Sequence, residues 1–494
     1  MIDVNVLFGT FPRTAHPDEY ALEAARAQLA SHGITNALVC ARSGAAFRHE
    51  VGNDDTFVAA SADAAGGPRL LPVATINPAQ NLGWRDELRR ALAGGAVALR
   101  LFPDQQGWEY DSEAFHQLVA ALDGRVPLLA PVTRFGDASR IGAATARIGR
   151  PVVLLGGHYT QLGDCLAALE RWPHLHLETS RLGQFKGVET VTRLAGAERL
   201  LFGSGCPEKP IQAVLNAIMA ARIPEATRRA ILAGNAARLF GIALPDFPLP
   251  AATKATGLID VHGHVGPIRF PTPPIEPSAL PALMAEHGVT TTLASSIRAI
   301  MDDAPRGNAD ALEAARASND ALHAYVVVNP NDLEGSCRAM DRAYAAGAVG
   351  AKLHCQWSGQ PTAAPATRAL LQEVARRERP LKVHNDGPGW GAAIVEAARA
   401  YPRWKVIVAH GGPGTPDAEG AWTVEHADNV YLELATTAPD LPVVRDVVRR
   451  VGPDRLLLGT DVPLIDPAYV LGMYADAGAD LARTAAVARE VFGL

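Results

Sequence analysis

Ile259-Asp260-Val261-His262-Gly263-His264 begins by repeating a stretch met 257 residues earlier, Ile2-Asp3-Val4-Asn5-Val6-Leu7. The same spacing returns down the chain. His32-Gly33-Ile34-Thr35 is matched by His287-Gly288-Val289-Thr290, and Gly95-Ala96-Val97-Ala98 by Gly347-Ala348-Val349-Gly350. Leu201-Phe202-Gly203-Ser204 is matched by Leu457-Leu458-Gly459-Thr460, and Phe240-Gly241-Ile242 by Phe492-Gly493-Leu494. Across these pairs the offset stays between 252 and 257. So small a drift over half a chain marks a tandem duplication.

Between the copies runs Ala243-Leu244-Pro245-Asp246-Phe247-Pro248-Leu249-Pro250, whose closely spaced prolines suit a stiff extended connection. The expected division is a first copy over 1–244, a Pro-rich linker over 245–256 and a second copy over 257–494. Within the second copy, short apolar runs (Leu258–His264, Thr290–Ala294, Ala324–Val328, Gly350–His354, Leu381–His384, Val406–His410, Val430–Leu434 and Arg455–Gly459) alternate with Ala-rich stretches of high helix propensity. Strands that alternate with helices form parallel βα units. Eight such units in about 240 residues predict an α/β fold of two tandem (β/α)8 TIM-like barrels.

Composition narrows the function. Hydrophobic residues make up 48% of 494 and charged residues 20%, enough to bury large cores and too apolar for disorder. Net charge is −6 and no basic block stands out, so nucleic acid is not an expected partner. Five cysteines, Cys40, Cys165, Cys206, Cys337 and Cys355, form no C-x-x-C pair and predict neither a disulfide framework nor a thiolate zinc site. The strand-like opening Met1-Ile2-Asp3-Val4 predicts no signal peptide, and no run of 18 apolar residues predicts a membrane span. The expectation is a cytoplasmic protein acting on a small molecule.

His262-Gly263-His264 closes the first strand of the second copy. Alternation along a strand puts both imidazoles on one face with Cα atoms about 7 Å apart, within reach of one metal ion. Fifteen histidines would give about half of one such pair by chance, so the motif needs context. His174-Leu175-His176 is the decoy: it starts its strand, and the working face of a barrel is the carboxyl end. His384, His410 and Asp461 all lie at strand ends like His262 and His264. Together they make an N/O donor set for one divalent ion, zinc first, with manganese, iron or nickel as alternatives.

The motifs Asp260-Val261-His262-Gly263-His264, Gly350-Ala351-Lys352-Leu353-His354, Val383-His384, Ala409-His410-Gly411-Gly412 and Leu458-Gly459-Thr460-Asp461-Val462-Pro463 resemble the amidohydrolase-related branch of the amidohydrolase superfamily. The resemblance implies a metal held by His262, His264, His384 and Asp461. It also implies that Asp461 acts as general base and His410 on the substrate oxygen. The implied reaction is hydrolysis of an amide, ester or lactone through a metal-activated water. The alternative in the same branch is non-oxidative decarboxylation of an aromatic or enol acid. Lys352 is either a carbamylated bridge between two metals or, as favoured here, a lysine beside a single metal, and His354 shares its face. Arg298, Gln356 and Trp357 are the expected substrate-binding residues, with Glu433 a further pocket candidate that has a counterpart in Glu178.

The first copy keeps the frame and loses the ligands. Asn5 stands for His262, Leu7 for His264, Pro131 for His384, Gly156 for His410, Gly205 for Asp461 and Arg100 for Lys352. It is expected to be a metal-free pseudoenzyme that pairs with the second copy as an intramolecular pseudo-dimer, with further oligomerisation left open.

Overall fold

The computed structural model describes every residue except Arg13 and 62–66. The chain divides into two compact units, Met1–Ala252 and Thr253–Leu494. Each is a (β/α)8 barrel, so two tandem barrels are the architecture. The residues between the barrels form no helix or strand from 242 to 257. The first part of this stretch belongs with the first barrel. Arg229 donates to the Phe247 carbonyl at 3.2 Å, and the Gln212 amide donates to Ala251 O at 3.0 Å.

In the first unit the strands are β1 (Ile2–Phe8), β2 (Asn36–Ala41), β3 (Arg69–Thr75), β4 (Ala98–Arg100), β5 (Leu128–Pro131), β6 (Val152–Leu155), β7 (Leu175–Glu178) and β8 (Leu200–Leu201). They pair in sequence order, all parallel. Hydrogen bonds from Val4 N to Phe202 O and from Leu7 N to Cys206 O close the barrel.

The second unit continues with β9 (Leu258–Val265), β10 (Val289–Ser296), β11 (Leu322–Val328), β12 (Gly350–His354), β13 (Leu381–His384), β14 (Val406–Val408) and β15 (Val430–Leu432). The eighth run is not a continuous strand. It makes single bridges from Leu456 to Leu432, from Leu458 to Asp260 and from Val462 to Gly263, which still close the ring. The runs expected over 406–410 and 430–434 also stop short. At the sixth, His410 adopts φ 61, ψ 6, a left-handed turn that ends extended backbone.

The segment Leu441–Val451 shows how the outer layer forms. Leu441, Val444, Val447 and Val451 recur at three- and four-residue spacing and are buried, Arg449 and Arg450 lie toward the last turn, and Pro442 opens the helix. Along β9 the two faces divide the labour. Ile259 and Val261 share a core with Val487 and Val491 of the helix Leu481–Phe492. The alternate residues Asp260, His262 and His264 are left for the other face. Among the described residues no helix is long and apolar enough to cross a membrane, and all five cysteines are free.

Candidate active site

Asp260, His262 and His264 sit on β9 at 0%, 2% and 7% exposure, so whatever they bond to must come from the protein or a ligand. Asp260 is structural. Its carboxylate accepts from the backbone N of His262 and Thr460 and from the Thr460 hydroxyl, tying the first strand to the eighth. That tie brings Asp461 across. Asp461 Oδ1 lies 2.9 Å from His264 Nε2 and 3.4 Å from His262 Nε2. Donor atoms bound at about 2.0–2.1 Å around one zinc sit roughly 3.3 Å apart, so this triad has the spacing of a shared cation.

Each imidazole is turned by its other nitrogen. His262 Nδ1 donates to Glu433 Oε1 at 2.7 Å, which leaves the Nε2 lone pair facing the site. His264 Nδ1 meets the Ser295 hydroxyl at 3.0 Å and likewise presents Nε2. His410 Nδ1 donates to Ala435 O at 2.5 Å, and its Nε2 is 3.0 Å from His384 Nδ1. His384 stacks on His354 with centroids 4.0 Å apart. Lys352 Nζ stands 3.2 Å from His262 Nε2.

Among the described residues, two overlapping groups have candidate ligand atoms all within 4.8 Å of one another: His262, His264 and Asp461, and His262, His410 and Glu433. His384, the other expected ligand, adjoins the cluster through His410 and stacks on His354.

Electrostatics put these groups in ligand form. Burial pushes His262 and His384 well below the ordinary imidazole value, with the Lys352 charge adding to it in both cases, and burial lowers His264 against the pull of Asp461. Burial pushes Asp461 up, but the hydrogen bond from His264 and the interactions with the neighbouring His264, His410 and Lys352 outweigh it and hold the carboxyl below its ordinary value. Neutral imidazoles and an ionised carboxylate are what a divalent ion requires. Burial and the neighbouring Lys382 bring Lys352 down to about 7.

Lys382 was not singled out in the sequence. Fully buried on β13, it donates to Glu433 Oε1 at 3.2 Å and to Val261 O at 3.1 Å. A lysine inside the apolar run Leu381-Lys382-Val383 was the available signal, because a buried lysine must have a partner. Glu433 answers four donors: His262 Nδ1, Lys382 Nζ, His410 N and Ala435 N.

Of the expected substrate-binding residues, Arg298 is paired with Asp310 at 2.8 Å and lines a cavity of about 430 Å³ with Val265 and Ser296. Trp357 is 39% exposed with Arg269 over its ring, and Gln356 is exposed. His354 is half-buried against His384. His174 and His176 stand at the start of β7, where His174 Nε2 meets the Thr145 hydroxyl.

The first barrel keeps the backbone bonds of this frame. Asp3 accepts from Asn5 N, Ser204 N and the Ser204 hydroxyl, as Asp260 does from His262 and Thr460. Glu178 accepts from Gly156 N and Ser180 N, as Glu433 does from His410 N and Ala435 N. Both glutamates press on a glycine: a Cβ at Gly203 or Gly459 would meet the carboxylate at 2.2 or 2.3 Å. These bonds register Gly156 on His410 and Gly205 on Asp461. All four positions have positive φ: 97, 61, 75 and 62° respectively. Holding His410 and Asp461 there costs on the order of 1–2 kcal/mol each, and the first copy has glycine where no ligand justifies that strain.

Glu178 also supplies a stability prediction. Burial raises it from 4.5 to about 7, so its neutral form favours folding below the unfolded value and that contribution is lost as pH rises through about 7. Melting temperature measured from pH 4 to 8 is expected to fall less with rising pH in Glu178→Gln than in the parent. Parallel curves would contradict this.

A parallel barrel whose strand ends gather buried imidazoles and a carboxylate defines a class of enzyme that works with a divalent cation. The chain belongs to the amidohydrolase family, whose model matches residues 143–242 and 259–494, the end of the first copy and nearly all of the second. Solved structures with a similar fold include 2,6-dihydroxybenzoate decarboxylase from Rhizobium (16% identity, 48% of this chain and 99% of that one, TM-score 0.39). A second is dihydroxybenzoic acid decarboxylase from Polaromonas sp. JS666 with bound manganese and 2-nitroresorcinol (16%, 49% and 98%, 0.40). A third is a probable 2-pyrone-4,6-dicarboxylic acid hydrolase from Acinetobacter baumannii with citric acid bound (17%, 48% and 100%, 0.39). No curated protein matches the chain.

Proposed function

We propose that the second barrel is a metal-dependent hydrolase that cleaves an amide, ester or lactone bond of a small molecule by adding water. The observation that carries this reading is the convergence of His262 Nε2, His264 Nε2 and Asp461 Oδ1 at the carboxyl ends of the strands. These three would hold the cation, zinc by our assignment, with His384 and Lys352 beside them. A bound divalent ion supplies Lewis acidity, polarising a carbonyl and making water acidic near neutral pH.

The protein's own groups do the rest. Asp461 takes the proton of the attacking water on its carboxylate and returns it to the leaving group. Glu433 keeps His262 in the tautomer that presents Nε2. His410, anchored through Nδ1 to Ala435 O, offers Nε2 to the substrate oxygen once that nitrogen carries a proton, and His384 Nδ1 is in place to share it.

Hydrolysis is preferred to decarboxylation on a local observation, because decarboxylases of the branch this sequence resembles often carry a glutamate shortly after the sixth-strand histidine. After His410 the chain reads Gly411-Gly412-Pro413-Gly414, and the first carboxylate, Asp417, is occupied as the N-cap of the helix Ala418–His426, accepting from Gly420 N at 2.7 Å. We assign the first barrel a supporting, metal-free role, to be abandoned if 257–494 alone is soluble and fully active.

The test is metal analysis of the purified full chain, followed by a panel of lactones, esters, amides and aromatic carboxylic acids. About one equivalent of metal, lost in His262→Ala and His264→Ala, is expected along with product from the hydrolysable members. Release of carbon dioxide without hydrolysis would transfer the site to decarboxylation. A metal content unchanged in both variants would remove the assignment of the site altogether.

A further inference from the structure

The first barrel has kept a cavity where its ligands were lost. About 380 Å³ opens at the carboxyl ends of its strands, between Asn5 and Leu7 of β1, Pro131 of β5 and Gly156 after β6. This is near the low end of the range of about 300–1,000 Å³ for small-molecule sites. Four cations line it, Arg42, Arg100, Arg181 and Lys209, against two carboxylates, Asp104 and Glu208.

The carboxylates do not neutralise the cations evenly. Glu208 pairs with Lys209 at 2.7 Å and with Arg42 at 2.5 Å. Arg100, only 8% exposed, has a single hydrogen bond, to the neutral amide oxygen of Asn5, and among the described residues no carboxylate pairs with it. Among the described residues, the buried Nε atoms of Arg42, Arg100 and Arg181 have no hydrogen-bond partner. A buried guanidinium with unmet N–H groups is costly unless an acceptor reaches it. Arg100 also occupies the register of Lys352, so the exchange of lysine for a planar fork coincides with the loss of the metal ligands.

We infer that the first barrel binds a small organic carboxylate, with its oxygens on the guanidinium groups of Arg100, Arg42 and Arg181 and its apolar body against Phe11 and Phe102. Guanidinium forks match a carboxylate's two oxygens in one plane. Arg42 lies over the Phe11 ring at 5.3 Å and Arg100 over Phe102 at 5.2 Å, so aromatic faces and cations alternate around the cavity. The lining carries four positive against two negative groups and two phenyl rings, so an anion with an apolar body is better accommodated than inorganic phosphate, which has nothing to set against Phe11 and Phe102.

The experiment is calorimetric titration of the full chain with benzoate and, separately, with inorganic phosphate. Benzoate is expected to bind more tightly than phosphate. Its affinity should fall roughly tenfold or more in Arg100→Met and in Arg181→Met, and persist in His264→Ala, whose defect lies in the other barrel. Circular dichroism and melting temperature check that each variant is folded. Should Arg100→Met not fold, the half-buried Arg181 decides. No benzoate binding, affinity unchanged in the folded arginine variants, loss in His264→Ala alone, or phosphate binding without benzoate would each overturn the inference.

Discussion

Asp461→Asn is expected to lower kcat by about a thousandfold or more while leaving the protein folded. The expected loss follows from the two tasks of one carboxylate. It neighbours both His262 Nε2 and His264 Nε2, and it is the only carboxylate in the triad, hence its proton acceptor. Asparagine keeps the shape and one acceptor oxygen but takes no proton and binds a cation weakly. It is the right probe for a conformational reason too. Asp461 has φ 62, and asparagine tolerates that region far better than alanine, so the variant carries no added backbone strain. Steady-state kinetics on the best panel substrate, metal content and a melting curve check it. Unchanged kcat would remove Asp461 from the chemistry, whereas a collapse in melting temperature would reassign it as a structural residue.

Glu433→Gln is expected to act on stability and metal affinity together. Glu433 is fully buried and, among the described residues, is the only ion-pair partner of Lys382, itself fully buried. Removing one member of a buried pair strands the other, at a cost of about 3–5 kcal/mol. The same change loosens the tautomer of His262, for which orienting carboxylates are worth about 10- to 100-fold in metal affinity. Two comparisons isolate the cause. Lys382→Met added to Glu433→Gln should recover part of the stability, since the stranded charge is gone. Glu178→Gln in the first barrel should cost less, because Leu129 takes the place of Lys382 there and, among the described residues, no cation is ion-paired with Glu178. Denaturant unfolding and metal titration measure both effects. A double variant no more stable than Glu433→Gln alone would refute the stranded-charge account.

Much of the site was legible from residue type and position. Alternation placed His262 and His264 on one face, and their position at a strand end placed them at the working rim. The duplicate supplied an internal control: Glu178 and Glu433 persisted where the ligands changed, which pointed to a structural duty. What escaped was long-range and orientational. Lys382 looked like one residue in an apolar strand, and only the closure of β13 near β9 and β15 shows its partner. His384 was expected among the ligands. Only the fold shows that its ring stacks on His354 of the neighbouring strand and meets His410 through Nδ1. Arg298 was expected to meet substrate, and only the fold shows that it also pairs with Asp310, twelve residues along.

By itself, the order of residues determined the duplication, the count of βα units and which copy holds ligand side chains, because these depend on period and chemical type along the chain. The folded barrel alone decided which nitrogen each imidazole presents, which groups each carboxylate meets, and where His410 and Asp461 accept left-handed backbone. Those outcomes are set by contacts between strands 20 to 200 residues apart, as when Thr460 meets Asp260 across |i−j| of 200. Hydrogen-bond direction and burial arise only when such distant groups share one interior.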